Sequence, residues 1–314
     1  MKKYISVLLL PIIVLSLTSC TKEKRVTRQS FAFDTVINIT ADEKNFDFVD
    51  EAFSLCLKYE DVFSRTKESS ELYKINNKEI TSLSEDMDEV LRFSKEFSLL
   101  TDGAFDFTVA PLTELWNVKE RTVPPSGEEI EKALSLTGYE KVSLSPFDTG
   151  ESRLDLGGVA KGYIADKLGE YFRENGIHDV IIDLGGNVLL IGEYSVGIRD
   201  PFNPEELFAR ITVKDKSAVT SGAYQRYFEY DGEKYHHIID PRTGRCADAG
   251  ISSVTVISPS SMHADALSTA IFVLGEEGLG LCDSFPDTDA LIITDEGEVV
   301  TTDNFAEKYS LQLM

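Results

Sequence analysis

The sequence predicts an α+β protein built around a mostly antiparallel sheet. Three turn sequences, Gly185-Gly186-Asn187, Asp231-Gly232 and Asp295-Glu296-Gly297, each lie between two runs rich in apolar and β-branched residues. Such turns are typical of β-hairpins, whose strands are antiparallel. Helical patterns separate the hairpins, and the regular βα alternation of a doubly wound parallel sheet is missing. We therefore expect hairpins packed against helices.

The first half of the chain contains one predicted strand and three predicted helices. Alternating apolar residues predict a strand over Phe31–Thr40. Apolar residues at helical spacing predict one helix over Asn45–Phe63 and a second over Ser84–Leu100, with Ser84 as N-cap. Ser126 and Glu129 form a capping box for a third, short helix. The inward-facing residues are expected to be Val49, Phe53, Cys56 and Phe63 in the first helix and Val90, Leu91, Ser94 and Phe97 in the second.

The second half carries a denser series of predicted elements. A helix from about Gly158 to Glu174 precedes the first hairpin, and a helix from Met262 to Leu274 precedes the last one. Another helix is expected near Glu276–Ser284. The predicted strands are Val180–Leu184, Val188–Ile191, Arg210–Val213, Arg226–Tyr230, Tyr235–Ile239, Ile251–Ile257, Ala290–Thr294 and Val299–Thr301.

The N-terminus has the pattern of an export signal. Lys2 and Lys3 precede a short apolar run that ends in Leu17-Thr18-Ser19-Cys20. The run is shorter than the about 20 apolar residues that a transmembrane helix needs. A cysteine at the cleavage point is typical of a bacterial lipoprotein, and an ordinary signal peptide with an incidental Cys20 is the alternative. We predict a lipoprotein signal peptide over residues 1–19, a tether lipidated at Cys20 over residues 20–30, and a folded domain over residues 31–314.

The charge and the cysteines exclude several classes of partner. The formal charge is −23 and becomes more negative once Lys2 and Lys3 are removed. Such a surface repels nucleic-acid backbones and anionic lipids, so membrane attachment should depend on the lipid. After acylation of Cys20, three cysteines without CxxC spacing remain, and a disulfide framework or a zinc site is not indicated.

A glycine-rich turn, Leu154–Tyr163, leads from a strand into a helix. Gly157 and Gly158 let the backbone approach a ligand, and the helix N-terminus presents free N–H groups that favour an anion. Lys161 adds a positive charge in the first turn. The segment suits phosphates, although neither a Walker nor a GxGxxG pattern is present and a plain tight turn is an equal alternative.

Two of the four histidines stand together in the segment His236–Gly244. Strand alternation places His237 on the opposite face from His236, and we interpret His237 as the site residue. Asp240 either belongs to the site or accepts backbone N–H bonds in the turn that Pro241 and Gly244 fix.

Asp265 and Thr269 are one turn apart at the start of the predicted helix Met262–Leu274, with Ser268 beside them. A carboxylate with neighbouring hydroxyls suits Mg²⁺, which binds oxygen ligands and completes its shell with phosphate and water. The alternative is structural: Asp265 stabilises the helix N-terminus, and Thr269 bonds back to the chain.

A fourth segment, Thr101–Val109, follows directly after a predicted helix. Gly103 fits the C-cap of that helix. Phe105 can pack against a ring and Asp106 can accept a hydrogen bond from it. A plain core position is the alternative for Phe105.

In this order, the segments resemble the ApbE family of FAD:protein FMN transferases, from Phe33 to about Gly275. One such segment is weak evidence, whereas eight in order are specific. The matching segments are Ser69–Asn76, Thr101–Leu112, Leu154–Tyr163, Ile182–Gly192, Val196–Pro201, Ala218–Phe228, Tyr235–Gly244 and Ala264–Gly275.

The resemblance implies one T-fold-like α+β unit that holds FAD between its two halves, with Mg²⁺ on the pyrophosphate. The matching motif positions imply that Mg²⁺ is bound by Asp265, Thr269 and a main-chain carbonyl near Gly158, with Ser268 close by. They imply that the flavin or adenosine pocket is lined by Ala104, Phe105 and Asp106. They also imply that the nucleotide is contacted by Asp155, Lys161 and the backbone at Ile239.

Two positions of the flavin site depart from the family pattern. Phe33 stands where the family has the Met of a Met-Gly-Thr signature. Thr66 stands where many members carry an aromatic ring against the flavin. These two departures affect the predictions of how tightly the flavin is held and of which acceptor the protein uses.

The activity implied by the resemblance is Mg²⁺-dependent transfer of FMN from FAD to a Thr or Ser hydroxyl of a target flavoprotein, with release of AMP. We interpret His237 as the group that helps to deprotonate this hydroxyl. The expected location is the outer face of the cytoplasmic membrane, through the lipid on Cys20. The alternatives are an FAD pyrophosphatase that yields FMN and AMP, and a non-catalytic FAD-binding lipoprotein.

Overall fold

The computed structural model describes residues 24–314. The predicted signal peptide and Cys20 lie outside this range. Between residues 24 and 314, no helix combines the length and the apolar character needed to cross a bilayer.

Most strands of the protein come from its second half. The strands are β1 Arg25–Ala32, β2 Thr35–Asp42, β3 Ser143–Leu144, β4 Phe147–Asp148, β5 Val180–Asp183, β6 Asn187–Ile191, β7 Glu193–Arg199, β8 Leu207–Lys214, β9 Ser217–Gly222, β10 Tyr227–Tyr230, β11 Glu233–His236, β12 Ile239–Asp240, β13 Arg245–Cys246, β14 Ile251–Ser258, β15 Asp289–Thr294, β16 Val299–Thr301 and β17 Gln312–Leu313.

Most helices come from the first half. The α-helices are α1 Phe46–Phe63, α2 Glu71–Asn76, α3 Glu85–Leu100, α4 Ala110–Trp116, α5 Gly127–Ser135, α6 Ala160–Glu174, α7 Ser261–Leu274 and α8 Phe305–Lys308, and 3₁₀ helices cover Glu43–Asn45, Tyr139–Lys141 and Gly275–Ser284.

An eight-stranded sheet, in the order β1-β2-β5-β6-β9-β14-β15-β16, forms the centre of the molecule. Every neighbouring pair in it is antiparallel. The hairpins β5–β6, β10–β11 and β15–β16 lie at the three predicted turns. The α+β class with a mostly antiparallel sheet is therefore confirmed.

The two faces of this sheet are covered by different layers. Side chains alternate along a strand, so Ala290 and Ile292 of β15 join the core on the side of α1, α6 and α7. Leu291 and Ile293 join the second core, beneath the three-stranded sheet β17-β8-β7 and α8. Burial on both faces explains why β15 is a continuous apolar run with little alternation.

A third, smaller core joins α4 and α5 to the short hairpins β10–β11 and β12–β13. Trp116 packs there with Ile130, Phe228 and Ile239, and its indole N–H donates to the carbonyl of Gly244 at 2.8 Å. The open space between this satellite core and the main core forms the cavity described below.

The two predicted N-caps are confirmed, whereas the C-cap of α3 is Thr101 and the predicted Gly103 follows two residues later. Ser84 accepts from the Met87 N–H at the start of α3, and Ser126 and Glu129 form a complete capping box at α5. Each cap satisfies N–H groups that the helix itself cannot.

The single strand predicted over Phe31–Thr40 is wrong, because the chain turns within it. Phe33 and Asp34 both have positive φ, 54° and 59°, and they connect β1 to β2. This two-residue turn lacks the glycine that usually marks it. The predicted tether is also too long, since Arg25 to Ser30 pair with β2 inside the sheet.

Two other predicted elements differ in detail. The strand predicted to reach Ile239 ends at His236, and Ile239 pairs with Cys246 in a separate hairpin. The helix predicted near Glu276–Ser284 is a 3₁₀ helix. The sequence patterns missed α2, α4, α8, β3, β4, β7, β9, β13 and β17, most of which are short.

Candidate functional site

A cavity of about 480 Å³ opens between the main core and the satellite core. Its wall collects residues that are far apart in the sequence. Eleven of the predicted site residues line it, namely Thr66, Ala104, Phe105, Asp106, Asp155, Gly158, Lys161, His237, Ile239, Asp265 and Thr269.

Two predicted site residues lie away from the wall. Phe33 packs against the main core beside the turn, and its neighbour Asp34 lines the cavity instead. Ser268 is fully buried, with its hydroxyl bonded to Ser221 Oγ at 2.9 Å and to the Asp265 carbonyl at 2.9 Å. The side chain of Ser268 therefore packs behind the wall.

Asp265 presents a nearly buried carboxylate at one end of the cavity. It is 4% exposed and accepts from the Gly162 N–H at 2.9 Å and from Lys161 Nζ at 3.4 Å. Thr269 lies one turn further along α7 and donates to the Asp265 carbonyl at 3.3 Å. The predicted pair does lie on one side of its helix, and the back-bond of Thr269 foreseen in the structural alternative is present as well.

Gly158 lets the glycine-rich turn, Leu154–Tyr163, pack against the Asp265 end of the cavity. A Cβ on Gly158 would lie 3.2 Å from Thr269 Oγ1 and 3.3 Å from the Phe105 ring. Only a residue without a side chain lets the main chain approach the Thr269 hydroxyl without displacing it.

Helices α6 and α7 cross closely enough to hold this arrangement. A Cβ on Gly162 would collide with the carbonyl oxygen of Ser261, so the contact requires glycine. Asp166 on α6 accepts from the Ser261 N–H at 2.7 Å, from the Met262 N–H at 3.0 Å and from Ser260 Oγ. Burial raises the pKa of Asp166, and these hydrogen bonds oppose the rise. The carboxylate thus caps α7 and fixes the helix that carries Asp265.

The donors at this end fit a cation that is shared with a phosphate ligand. Within residues 24–314, no group of three or more His, Cys, Asp or Glu side chains is placed to hold a metal. Asp265, Thr269 and the main chain at Gly158 supply a few hard oxygen atoms. Mg²⁺ commonly binds one or two carboxylates and completes its shell with water and substrate phosphate.

Asp155 is held by three partners beside the glycine turn. It accepts from Thr113 Oγ1 at 2.8 Å and from the Gly157 N–H at 2.9 Å, and Arg65 Nε lies 3.4 Å away. Arg65 also donates to Glu114 at 3.0 Å. These contacts fix the carboxylate in one orientation on the wall.

Phe105 and Asp106 form a rigid part of the wall. Phe105 is 4% exposed and packs edge-on against Phe97, with ring centroids 5.3 Å apart. Asp106 accepts from the N–H and hydroxyl of Thr108 and from the Tyr139 N–H. Burial raises the pKa of Asp106, while these hydrogen bonds oppose the rise. Phe105 is therefore both a core residue and a cavity residue.

The two adjacent histidines have different surroundings, as alternation predicts. His236 is buried, with Nε2 3.0 Å from the carbonyl of Ala247 and its ring edge-on to Phe272. His237 lines the cavity, with Nδ1 3.3 Å from the carbonyl of Arg226. A carbonyl only accepts, so Nδ1 carries the hydrogen and Nε2 keeps its lone pair.

His237 is neutral over a wide pH range. Burial, the larger cause, and the Arg226 cation together lower its pKa to about 4. The ring keeps some solvent-accessible surface on the cavity side, but protein atoms surround it closely. An uncharged imidazole with a free Nε2 lone pair can accept a proton near neutral pH.

Asp240 has the structural role that was its alternative, because it accepts a backbone N–H bond in the turn. Its carboxylate accepts from the Arg242 N–H at 2.9 Å and pairs with the Arg242 guanidinium at 2.9 and 3.0 Å. The Gly244 N–H donates to its carbonyl at 2.8 Å. Asp240 fixes the turn and does not line the cavity.

Several cations of the wall were missed from the sequence. Arg65, Lys119 and Arg226 join Lys161 there. Lys119 forms an ion pair with Asp34, and Arg226 donates to the Asp34 carbonyl at 3.4 Å. The wall has as many Lys and Arg as Asp side chains, whereas the whole chain has 31 basic and 54 acidic residues. The cavity is therefore far less repulsive to an anion than the protein surface is.

Comparison with known proteins decides the family. The sequence profile described as the ApbE family matches residues 33–292. The chain belongs to the ApbE family. Two curated relatives, each named FAD:protein FMN transferase, are similar to it over most of their length. One from Klebsiella pneumoniae is 34% identical over 79% of this chain and 82% of its own, and one from Treponema pallidum is 34% identical over 78% and 76%.

Solved structures of ApbE proteins share the fold. The crystal structure of the ApbE protein of Thermotoga maritima is 32% identical, has a TM-score of 0.80, and corresponds to 90% of this chain and 99% of its own. Flavin transferase ApbE from Vibrio cholerae is 28% identical with a TM-score of 0.77, over 91% and 99% of the two chains. The agreement extends over nearly all of the part that the structure describes.

Proposed function

We propose that this ApbE-family chain is an enzyme that transfers the FMN moiety of FAD to a Thr or Ser hydroxyl of a target flavoprotein and releases AMP. The names of its relatives support flavin transfer to proteins. The observation that carries the proposal is that His237, Asp265, Thr269 and the Gly158 turn lie on one cavity wall.

The Asp265 end of the cavity suits the diphosphate of FAD. Asp265, Thr269 and the Gly158 carbonyl would hold Mg²⁺ there, and Mg²⁺ neutralises diphosphate charge and polarises a phosphorus when bound. Lys161 stands beside Asp265 and adds a cation for the same phosphates.

His237 suits the role of proton acceptor for the incoming hydroxyl. Its Nδ1 is held by the Arg226 carbonyl, and its Nε2 is available to take the hydroxyl proton. The acceptor oxygen then forms a bond to the FMN phosphorus, and the bond from that phosphorus to the bridging oxygen breaks. AMP leaves with this oxygen, and the flavoprotein keeps FMN through a phosphoester.

We also propose that the protein acts outside the cytoplasm, anchored by a lipid such as palmitate on Cys20. The cleavage-site sequence Leu17-Thr18-Ser19-Cys20 and the apolar run before it support this location. Only the short segment between Cys20 and β1, which begins at Arg25, would separate the lipid from the fold. The enzyme would therefore act close to the membrane surface.

The test is a labelling reaction. The chain from Thr21 onward is mixed with FAD, Mg²⁺ and a flavoprotein acceptor domain, and covalent FMN is measured by mass and by in-gel fluorescence. We expect a mass increase that requires Mg²⁺ and disappears in Asp265→Ala, while Asp240→Ala, which alters only the turn, retains labelling if it folds. Release of AMP and FMN without labelled acceptor would indicate the pyrophosphatase, and tight FAD without turnover would leave a binding protein.

A further inference from the structure

Asn187 has a buried amide nitrogen without a partner on the cavity wall. Six buried side-chain polar atoms of residues 24–314 lack a hydrogen-bond partner, in Ser94, Arg121, Ser152, Asn187, Ser217 and Ser253. Of these residues, Asn187 alone lines the cavity. Its side chain is 1% exposed, so bulk water does not satisfy the amide. An unmade hydrogen bond in a buried position costs free energy unless a ligand completes it.

The fold places Asn187 near the Asp265 end of the cavity wall. Asn187 opens β6 and is paired with Val219 of β9, so the two side chains share the sheet face that packs against α7. Ser261 Oγ donates to Asn187 Oδ1 at 2.6 Å. Ser261 precedes Asp265 by one helical turn, and residues so spaced are neighbours on one helix face. The amide and the Asp265 carboxylate therefore border the same small region.

The hydrogen bond with Ser261 engages one atom of the amide and leaves the other without a partner. Oδ1 is the acceptor for the Ser261 hydroxyl, so the unpartnered atom is the donor Nδ2. A buried donor beside Asp265, Lys161 and the glycine turn matches an anionic oxygen. The flavin and adenine rings offer fewer such acceptors than the diphosphate does.

We propose that Asn187 Nδ2 donates a hydrogen bond to a phosphate oxygen of the diphosphate group bound at the Asp265 end. The proposal rests on the FAD-dependent function proposed above and adds a ligand-binding residue to it. Asn187 is a binding residue for the diphosphate and takes no proton from the acceptor.

The experiment measures FAD affinity by flavin fluorescence with Mg²⁺ for the full chain and four variants. Asn187→Ala should weaken FAD binding by about tenfold or more, as expected for a lost hydrogen bond to a charged group. Asn187→Asp should weaken it further, because its carboxylate still accepts from Ser261 but repels the phosphate. The melting temperature of each variant reports whether the fold survives.

Two control variants separate ligand binding from structural support. Ser261→Ala removes the partner that Asn187 holds on α7, and Ser253→Ala removes another unpartnered buried hydroxyl from the same sheet. Ser253→Ala should bind FAD as the parent chain does, and Ser261→Ala, which removes the hydrogen bond that positions the Asn187 amide, should weaken FAD binding less than Asn187→Ala does. A loss in Ser261→Ala equal to that in Asn187→Ala would show that Asn187 only supports α7, and unchanged affinity in both Asn187 variants would also refute the proposal.

The absorption spectrum of bound FAD identifies which part of the ligand Asn187 contacts. The flavin bands of Asn187→Ala should match those of the parent chain, and a shifted spectrum would place the amide at the flavin ring. A parent chain that binds no FAD would instead overturn the proposed function itself, so the two failures are distinguishable.

Discussion

His237 lines the cavity, and one of its two ring nitrogens forms a hydrogen bond within the protein. The Arg226 carbonyl holds Nδ1, and burial keeps the ring uncharged. The sequence indicated this residue because strand alternation separated it from His236. Nothing in the sequence indicated that its partner would be a main-chain carbonyl eleven residues earlier.

His237→Ala should abolish transfer of FMN while leaving FAD affinity nearly intact. The alanine cannot accept the hydroxyl proton, whereas the diphosphate contacts lie at the Asp265 end. Single-turnover labelling and fluorescence titration measure the two properties. His178→Ala, at an exposed histidine outside the cavity, is the control and should retain both. Normal labelling by His237→Ala would remove the imidazole from the mechanism.

The pH profile of transfer should have its acidic limb near pH 4. A base acts in its neutral form, so activity is present above the His237 pKa of about 4 and is lost as the pH falls through it. Arg226→Ala removes the cation that helps to lower this pKa, and the acidic limb should move to higher pH, toward the ordinary imidazole range. The shift should be partial, since burial is the larger cause.

Arg226→Lys keeps the positive charge and is the control for this experiment. Its acidic limb should stay near that of the parent chain. The pH of the acidic limb is obtained by measuring kcat/KM at a series of pH values between pH 3.5 and pH 8, in a range where the protein stays folded. Identical limbs in Arg226→Ala and the parent chain would contradict the electrostatic role of Arg226.

At the scale of elements, the crossing of α6 and α7 positions the Asp265 end. Gly162 allows the two helices to meet, and Asp166 of α6 caps α7. The same Gly162 donates its N–H to Asp265. Helix packing and ligand geometry therefore depend on one residue without a side chain.

Gly162→Ala should destabilise the protein by about 1–3 kcal/mol or more, because the new methyl group meets backbone atoms of Ser261 and Met262. Thermal unfolding measures the change, and FAD affinity should fall with it. Gly127→Ala is the control: a Cβ there meets nothing within 4 Å, and alanine is the better helix former. Equal melting temperatures for Gly162→Ala and the parent chain would show that α6 and α7 can move apart without loss of stability.

Elements with strong local signals were predicted well. The turns at Gly185-Gly186 and Asp231-Gly232 and the cap at Ser84 depend on residues adjacent in sequence. The β1–β2 turn was missed, because Phe33 and Asp34 adopt positive φ without a glycine. Of the site residues, Asp265 and His237 were predicted because they lie in segments that resemble the family motifs. Arg65 and Asn187 gain their positions only from tertiary packing, which no local pattern encodes.

At the scale of the whole molecule, the central sheet separates two cores. The helix-side core borders the cavity, and the core beneath β17-β8-β7 lies on the opposite face. On that second face, Lys216 donates to Tyr309 Oη, and Tyr309 in turn donates to Asp289. Burial is the main cause that raises the pKa of Tyr309. This network secures the C-terminal segment at a distance from the chemistry.

Cys20→Ala should move the protein from the membrane to the soluble fraction of the exported material without changing transfer by the folded domain. The variant lacks the acylated thiol, while the fold begins beyond it, at β1. Fractionation and labelling with a fatty-acid analogue measure the outcome. Cys246→Ala alters a half-buried thiol and should remain at the membrane. Retention of Cys20→Ala at the membrane would argue against the lipid anchor.

The cavity wall takes residues from Asp34 through Thr269. During synthesis, the nucleotide site is therefore incomplete until α7 has emerged, and a chain truncated before α7 lacks the Asp265 side altogether. A polypeptide threaded through a translocation channel in extended form cannot carry FAD with it. The export proposed above would therefore require the protein to obtain FAD on the far side of the membrane.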